Sequence, residues 1–363
     1  MPDKRVDDRA ATVREKLLAL CREGELYESV PEAAAANLVE CVGCAHRCRI
    51  PDGRHGVCAM RFNRGGRLLV PHGYVSGAAC DPIEKKPFYH LLPGEHALSY
   101  GMLGCSFHCE FCQNWVTSQT LRDPAAHAPT RRISAERLVE LAEECEAKVI
   151  ASTYNEPLIT SEWSKEIFSL AKARGLVTAY VSNGFATPET LTYLEPVLDA
   201  MNVDLKCFTD EHYRRLGGRL QPVLDTIRRL RETGKWVEVI TLVVPGFNDS
   251  DEELRGIAEF LVSASADIPW HVTACHAAYK MDHGPASTPV SRILDAIKIG
   301  RQAGLRYVYG GNVIGLDKDE STFCHSCGSL LITRCGLACR GNYLKNGRCP
   351  DCHQAVPGIF SAA

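Results

Sequence analysis

Three thiols within eight residues dominate the chemistry available to this chain. Cys105, Cys109 and Cys112 lie in the stretch Gly101-Met102-Leu103-Gly104-Cys105-Ser106-Phe107-His108-Cys109-Glu110-Phe111-Cys112-Gln113-Asn114-Trp115. Cysteine thiolates hold iron–sulfur clusters, normally four to a cubane. With three, one iron of a [4Fe-4S] cube lacks a protein ligand and is open to a chelating small molecule. A Cys3His zinc site that includes His108 is the bland alternative. Structural zinc ligands usually arrive as two separated pairs, however, and here a hydrophobic, strand-like run (Leu98–Leu103) leads directly into the cluster, which favours iron. His108 then reads as a supporting or solvated residue.

Two further cysteine sets flank this one. Cys41, Cys44, Cys48 and Cys58 offer four thiols in one glycine-punctuated segment, enough for a tetrahedral zinc or a second cluster. The metal is not readable there, and zinc is marginally favoured because four thiolates leave no obvious job for an extra redox centre. In the tail, Cys324-His325-Ser326-Cys327 and Cys349-Pro350-Asp351-Cys352 form two C-x2-C knuckles around a strand-rich stretch, the arrangement of a zinc ribbon. Cys335 and Cys339 lie between the knuckles and are spare by this count.

The C-x3-C-x2-C spacing, with Phe111 just before the last cysteine, resembles the radical S-adenosylmethionine (SAM) enzymes. The block Asp81-Pro82-Ile83-Glu84-Lys85-Lys86-Pro87-Phe88-Tyr89-His90-Leu91-Leu92-Pro93-Gly94, taken with Cys105–Trp115, is similar to the radical SAM component of the AmmeMemoRadiSam group, relatives of pyruvate formate-lyase activating enzymes. The resemblance implies that SAM chelates the open iron and is cleaved reductively to a 5′-deoxyadenosyl radical, which takes hydrogen from a substrate. It also implies a site: Phe111 beside the adenine; Asn155 and Glu156 for the SAM amino group, where relatives often carry Gly-Gly-Glu; Ser182 and Asn183 for carboxylate or ribose; Asp204 for ribose; Lys206 for a carboxylate. It further implies a flavodoxin or ferredoxin as one-electron donor, and association with Memo-like and AMMECR-like proteins.

These residues need a scaffold. Strand-like runs recur near Leu98–Leu103, Val149–Thr153, Thr178–Val181, Met201–Leu205, Val237–Val244, Trp270–Ala274 and Tyr307–Tyr309, separated by helical patterns with Ser134 and Thr187 as N-caps and Gly175, Gly234 and Gly304 at helix ends. Repeated βα units specify a parallel sheet. Six to seven strands, rather than eight, fit the open (β/α)6 TIM-like barrel of the radical SAM type. The site is then expected at the C-terminal strand ends. The Asp81–Gly94 block reads as an ordered loop, too apolar at Phe88, Tyr89, Leu91 and Leu92 for free solvation. His271 and His276 are unplaced, and an interior histidine is more often a hydrogen-bonded core residue than a catalyst. The domain reading is an N-terminal helix (residues 4–22) with a Cys-rich segment over 1–95, a barrel over 96–318 and a zinc-ribbon-like tail over 319–363.

The chain has 363 residues, 45% of them apolar, and carries eighteen cysteines, enough for one barrel with small appendages. A formal charge of −3 gives no electrostatic case for nucleic acid or an anionic membrane. No apolar signal core opens the sequence and no run reaches membrane-span length, so a reducing cytoplasm and metal-bound rather than disulfide-bonded cysteines are expected. The expected activity is that of a radical SAM enzyme of the oxidoreductase kind. A glycyl-radical activase is the alternative within that class. A zinc-ribbon module that binds RNA or a partner is the alternative outside it.

Overall fold

The computed structural model describes residues 15–30, 37–281 and 287–361. Most of the leading helix expected over residues 4–22 lies outside these. Within them its end is corrected, because Cys21–Glu23 is a strand paired with Arg67–Pro71.

The core is an eight-stranded sheet. Strand β1 (Gly77–Pro82) runs antiparallel to β2 (His96–Gly101). From β2 onward the pairing is parallel and follows the chain: β3 (Val149–Ser152), β4 (Val177–Ser182), β5 (Ala200–Asp204), β6 (Trp236–Val243), β7 (Trp270–Ala274) and β8 (Val308–Gly311). Sequential order without reversal is barrel winding, and β1 and β8 remain as edges, so the barrel is open. The parallel strands coincide with the seven runs read from the sequence.

Period-two alternation divides each strand between two environments. Leu98, Tyr100, Ile150, Tyr180, Met201, Val203, Val237 and Val239 join the large outer core with the helices. Those helices start and stop where side chains satisfy free backbone groups: Ser134 accepts from Arg137 N ahead of α1 (Ala135–Glu144), and Thr187 accepts from Thr190 N ahead of α2 (Pro188–Leu194).

On the inner face, Ala97, Ala151, Ala179 and Ala200, together with Val149, Val177 and Trp236, pack against Ile83, Phe88, Leu91 and Leu92. Asp81 and Pro82 belong to the edge strand β1, and the Ile83–Gly94 part of the block is therefore a plug inside the lower barrel. Its backbone is held by inward side chains. Asn202 Nδ2 donates to Pro87 O at 2.6 Å, and Tyr89 N and His90 N donate to the Glu238 carboxylate at 2.9 and 2.8 Å. Trp236 Nε1 and His271 Nε2 complete that carboxylate's shell at 3.0 and 2.7 Å. Burial works against the Glu238 charge, but His271 and the other donors hold its carboxyl below the usual range. His271 is thus placed as a core hydrogen-bonding residue.

His90, fully buried, bonds Pro357 O at 2.7 Å and the Tyr309 hydroxyl at 2.6 Å. Burial lowers its pKa to about 4. Unfolded, His90 protonates near its ordinary value of about 6.5. Between these values the unfolded chain holds the extra proton, so stability falls as pH drops from about 6.5 towards 4, by on the order of 3 kcal/mol. Urea unfolding across that range should show this slope in the native protein and a flatter one in His90→Gln. Equal slopes would remove His90 as the cause.

The tail forms a core of its own against the plug and the last strand. Strands Thr322–Phe323, Leu330–Cys335 and Ala338–Asn342 form an antiparallel sheet. Tyr89, Tyr307 and Tyr309 pack against Leu331, Ile332 and Val356. Ile359 N donates to His90 O at 2.8 Å, and Leu92 N donates to Ile359 O at 2.7 Å. Among the described residues, no helix is long and apolar enough to cross a membrane.

Candidate active site

Above the plug, at the C-terminal ends of the strands, a cavity of about 340 Å3 remains. Cys109, Phe111 and Cys112 enter it from the loop after β2, Asp204 and Lys206 from the end of β5, and Lys86 from the plug. Its volume falls in the range of small-molecule sites, about 300–1,000 Å3.

The cysteine loop is braced rather than free. Met102 N donates to Asn155 Oδ1 at 2.9 Å, Glu156 N to Gly104 O at 3.1 Å, and Asn183 Nδ2 to Ser106 Oγ at 2.9 Å. Phe107 is buried against Phe185, with ring centroids 5.1 Å apart, while His108 is exposed. Gly218 permits this packing, since a Cβ there would lie 2.4 Å from the Phe107 ring.

The sequence candidates therefore divide into two groups. Cys109, Cys112, Phe111, Asp204 and Lys206 face the cavity, with the partly buried Cys105 next to them in the loop. Asn155, Glu156, Ser182 and Asn183 form a buried network behind it. Glu156 accepts from Ser182 Oγ at 2.6 Å, Asn183 N at 2.8 Å and Leu158 N at 3.0 Å. Burial pushes its carboxyl up to about 7 despite these donors. Tyr154 takes the cavity-facing place in that segment and has a left-handed backbone, φ 69°, the conformation glycine adopts most readily. Gly101 lets it approach, as a Cβ there would meet Thr153 O at 2.6 Å.

Lys206 Nζ and Asp204 Oδ2 are 3.0 Å apart. Burial opposes the Lys206 charge, yet Asp204 and the neighbouring Cys109 and Cys112 thiols hold its pKa above the ordinary lysine value. Phe111 packs against Phe247 with centroids 5.4 Å apart, which brings the Pro245-Gly246-Phe247 turn beside the cysteine loop. His276 is exposed and sits at the rim, where its carbonyl accepts from Gln113 Nε2 at 2.9 Å.

Sequence reading missed Lys86 and Tyr154. Lys86 Nζ lies 3.1 Å from the Tyr154 hydroxyl and 3.3 Å from Asp81 Oδ2, and its side chain is only 4% exposed. The available signal was a lysine pair just before Phe88, Tyr89, Leu91 and Leu92, residues too apolar for free solvation.

Among the described residues, the only group of three or more metal-binding side chains whose ligand atoms all lie within 4.8 Å of one another is Cys324, Cys327, Cys349 and Cys352. Cys324 Sγ is 3.5 Å from Cys352 Sγ, and Cys327 Sγ is 3.6 Å from Cys349 Sγ. A tetrahedral ion with bonds near 2.3 Å needs sulfurs about 3.8 Å apart, so these four fit one.

Residues 100–261 match the profile of the Radical SAM superfamily. An uncharacterized protein of Methanocaldococcus jannaschii is 36% identical over 315 residues, 86% of this chain and 91% of that protein. The pyruvate formate-lyase-activating enzyme of Streptococcus mutans is 27% identical over 44% of this chain, and the benzylsuccinate synthase activating enzyme of Thauera aromatica 26% identical over 46%. The matches span 64% and 55% of the lengths of those two enzymes.

Proposed function

Because this chain belongs to the radical SAM superfamily, we propose that Cys105, Cys109 and Cys112 hold a [4Fe-4S] cluster at which SAM is cleaved, and that the barrel mouth presents a still unidentified substrate for hydrogen abstraction. The observation that carries this reading is the convergence of two of those thiols, Phe111 and the Asp204–Lys206 pair on one cavity. When bound, the cluster and SAM supply one-electron cleavage to methionine and a 5′-deoxyadenosyl radical. The protein's share is binding, orientation and exclusion of water.

Lys206 offers a partly buried cation to the SAM carboxylate, with Asp204 limiting the cost of its burial. Asp204 has its second oxygen for a ribose hydroxyl. Phe111 and Phe247 form an apolar wall for the adenine. Glu156, already bonded by three protein donors, fixes the β3 and β4 ends with Ser182, Asn155 and Asn183, and so holds the loop in register. Lys86 and Tyr154 provide a polar patch on the cavity floor. The tail thiols hold zinc, and a cytoplasmic setting with a flavodoxin or ferredoxin donor suits the chemistry. The association with Memo-like and AMMECR-like proteins rests on the sequence resemblance.

Similarity to two activating enzymes favours a second, narrower reading, an activase whose target is a backbone glycine of a partner protein. Anaerobically reconstituted protein given dithionite and SAM should release 5′-deoxyadenosine. No release from a fully loaded cluster would overturn the proposal. Deuterium transfer into 5′-deoxyadenosine from a labelled small molecule, rather than from a protein glycine, would exclude the activase.

A further inference from the structure

The N-terminal cysteines form a built site that this reaction does not use. Cys41 ends the strand Val39–Cys41, Cys44 follows in the next turn, Cys48 immediately precedes the strand Arg49–Ile50, and Cys58 comes from the turn before Phe62–Arg64. Cys41, Cys44 and Cys58 are buried, and Cys41, Cys48 and Cys58 all lie within electrostatic reach of Cys44. Val57 N points at Cys48 Sγ from 3.4 Å, and a Cβ on Gly56 would lie 3.3 Å from the same sulfur.

Behind the thiols sits Arg61, only 1% exposed. It is ion-paired with Glu162 through Nη2, yet its buried Nε has no partner among the described residues. Its charge faces Cys41, Cys58 and Cys44, and Gly43 makes room for it, since a Cβ there would lie 2.2 Å from Arg61 Nη1. A buried guanidinium with a vacant donor beside four thiols suits a site whose ligands are anionic.

Sulfur spacing separates the two metals that four cysteines could take. The tail thiols gather to the separation a single tetrahedral ion imposes. No three of Cys41, Cys44, Cys48 and Cys58 do so, and neither do Cys105, Cys109 and Cys112. A polynuclear core spreads its thiolates further, because several irons stand between them.

The two open sets are also neighbours. Arg122 Nη2 donates to Val57 O at 2.6 Å and to Cys105 O, so one guanidinium joins the residue before Cys58 to a thiol-bearing residue of the central loop. His46 Nε2 lies 3.0 Å from Ser106 O. Cys58 and Cys109 belong to one apolar cluster.

We infer that Cys41, Cys44, Cys48 and Cys58 bind a second iron–sulfur cluster, fully ligated by protein, that relays electrons to the central one. The relay, though not the second cluster, rests on the function proposed above. One electron from a reduced flavodoxin- or ferredoxin-type donor reduces the N-terminal cluster. The same electron then passes to the central cluster, and the N-terminal cluster returns to its oxidised state. This reverses the preference for zinc drawn from the sequence.

Metal analysis of the native protein, reconstituted anaerobically with iron and sulfide, should give about eight irons and one zinc per chain; about four irons and two zincs would overturn the inference. The triple variant Cys105→Ala/Cys109→Ala/Cys112→Ala should keep about half the iron and a dithionite-induced electron paramagnetic resonance signal. An iron-free triple variant would count against the second cluster. Conversely, an iron-free Cys41→Ala/Cys44→Ala variant would count against the central one, so the two failures are distinguishable. The fully reduced native protein should show splitting from two interacting spins that disappears in both variants, and a spectrum that is the plain sum of theirs would overturn the relay.

Discussion

Cys112→Ala should abolish 5′-deoxyadenosine release, a loss of at least about a thousandfold, the scale on which removal of an essential catalytic group registers. Cys112 faces the cavity and lies 3.3 Å from Ser118 Oγ, and no other cysteine lines that cavity except Cys109. No spare thiol is therefore placed to substitute for it. The same variant should retain its full zinc content, because the tail ligands sit in a separate core formed with Tyr307 and Leu331. Cys349→Ala should do the reverse, losing zinc and unfolding the tail while the central loop still takes up iron. Iron and zinc measured on both variants, beside product formation, check this. Equal loss of central iron from the two would break the assignment of separate sites.

Arg334→Ala should destabilise the protein by about 3–5 kcal/mol, as expected when one partner of a buried ion pair is removed. Arg334 and Glu84 have fully buried side chains, with Nε 3.4 Å from Oε1. Arg334 Nη2 also donates to Tyr89 O at 2.6 Å and Nη1 to Thr322 Oγ1 at 2.9 Å, while its guanidinium lies 4.2 Å from the centre of the Tyr89 ring. One side chain thus fastens the tail to the plug. Burial raises the Glu84 pKa even with Arg334 in place. Once Arg334 is gone, Glu84 loses its counter-charge. Urea unfolding of the zinc-loaded proteins checks the magnitude, and a change below about 1 kcal/mol would sink the role assigned to this pair. Adding Glu84→Gln to the variant should recover part of the loss by removing the stranded charge. Because the plug carries Lys86, the single variant should also disturb the cavity floor.

Much of this was legible from local pattern. The parallel strands, the N-caps at Ser134 and Thr187, the knuckles of the tail and the central thiols each depend on residues close together in sequence, where spacing is itself the physical constraint. Ligands a few residues apart must meet, and alternating or helical apolar periods must bury one face. The residues nominated after β3 and β4 lie at the C-terminal ends of those strands. Their division into a cavity-facing set and a bracing set was not readable, because hydrogen bonds between separate loops, such as Ser182 to Glu156, decide which way each side chain is spent.

By itself, then, the sequence determined the positions of the seven parallel strands and the cysteine sets with metal-ligand spacing. Tertiary structure alone decided that the Ile83–Gly94 segment fills the barrel, that Glu238 and His271 hold it there, and that Lys86 reaches the cavity. It also decided which cysteine sets close to the spacing of one ion and which stay open. The reason is that contacts between residues far apart in the chain depend on the space left after the sheet has curved. Small inner side chains at Ala97, Ala151, Ala179 and Ala200 leave a hollow there, and no local period records what will occupy it.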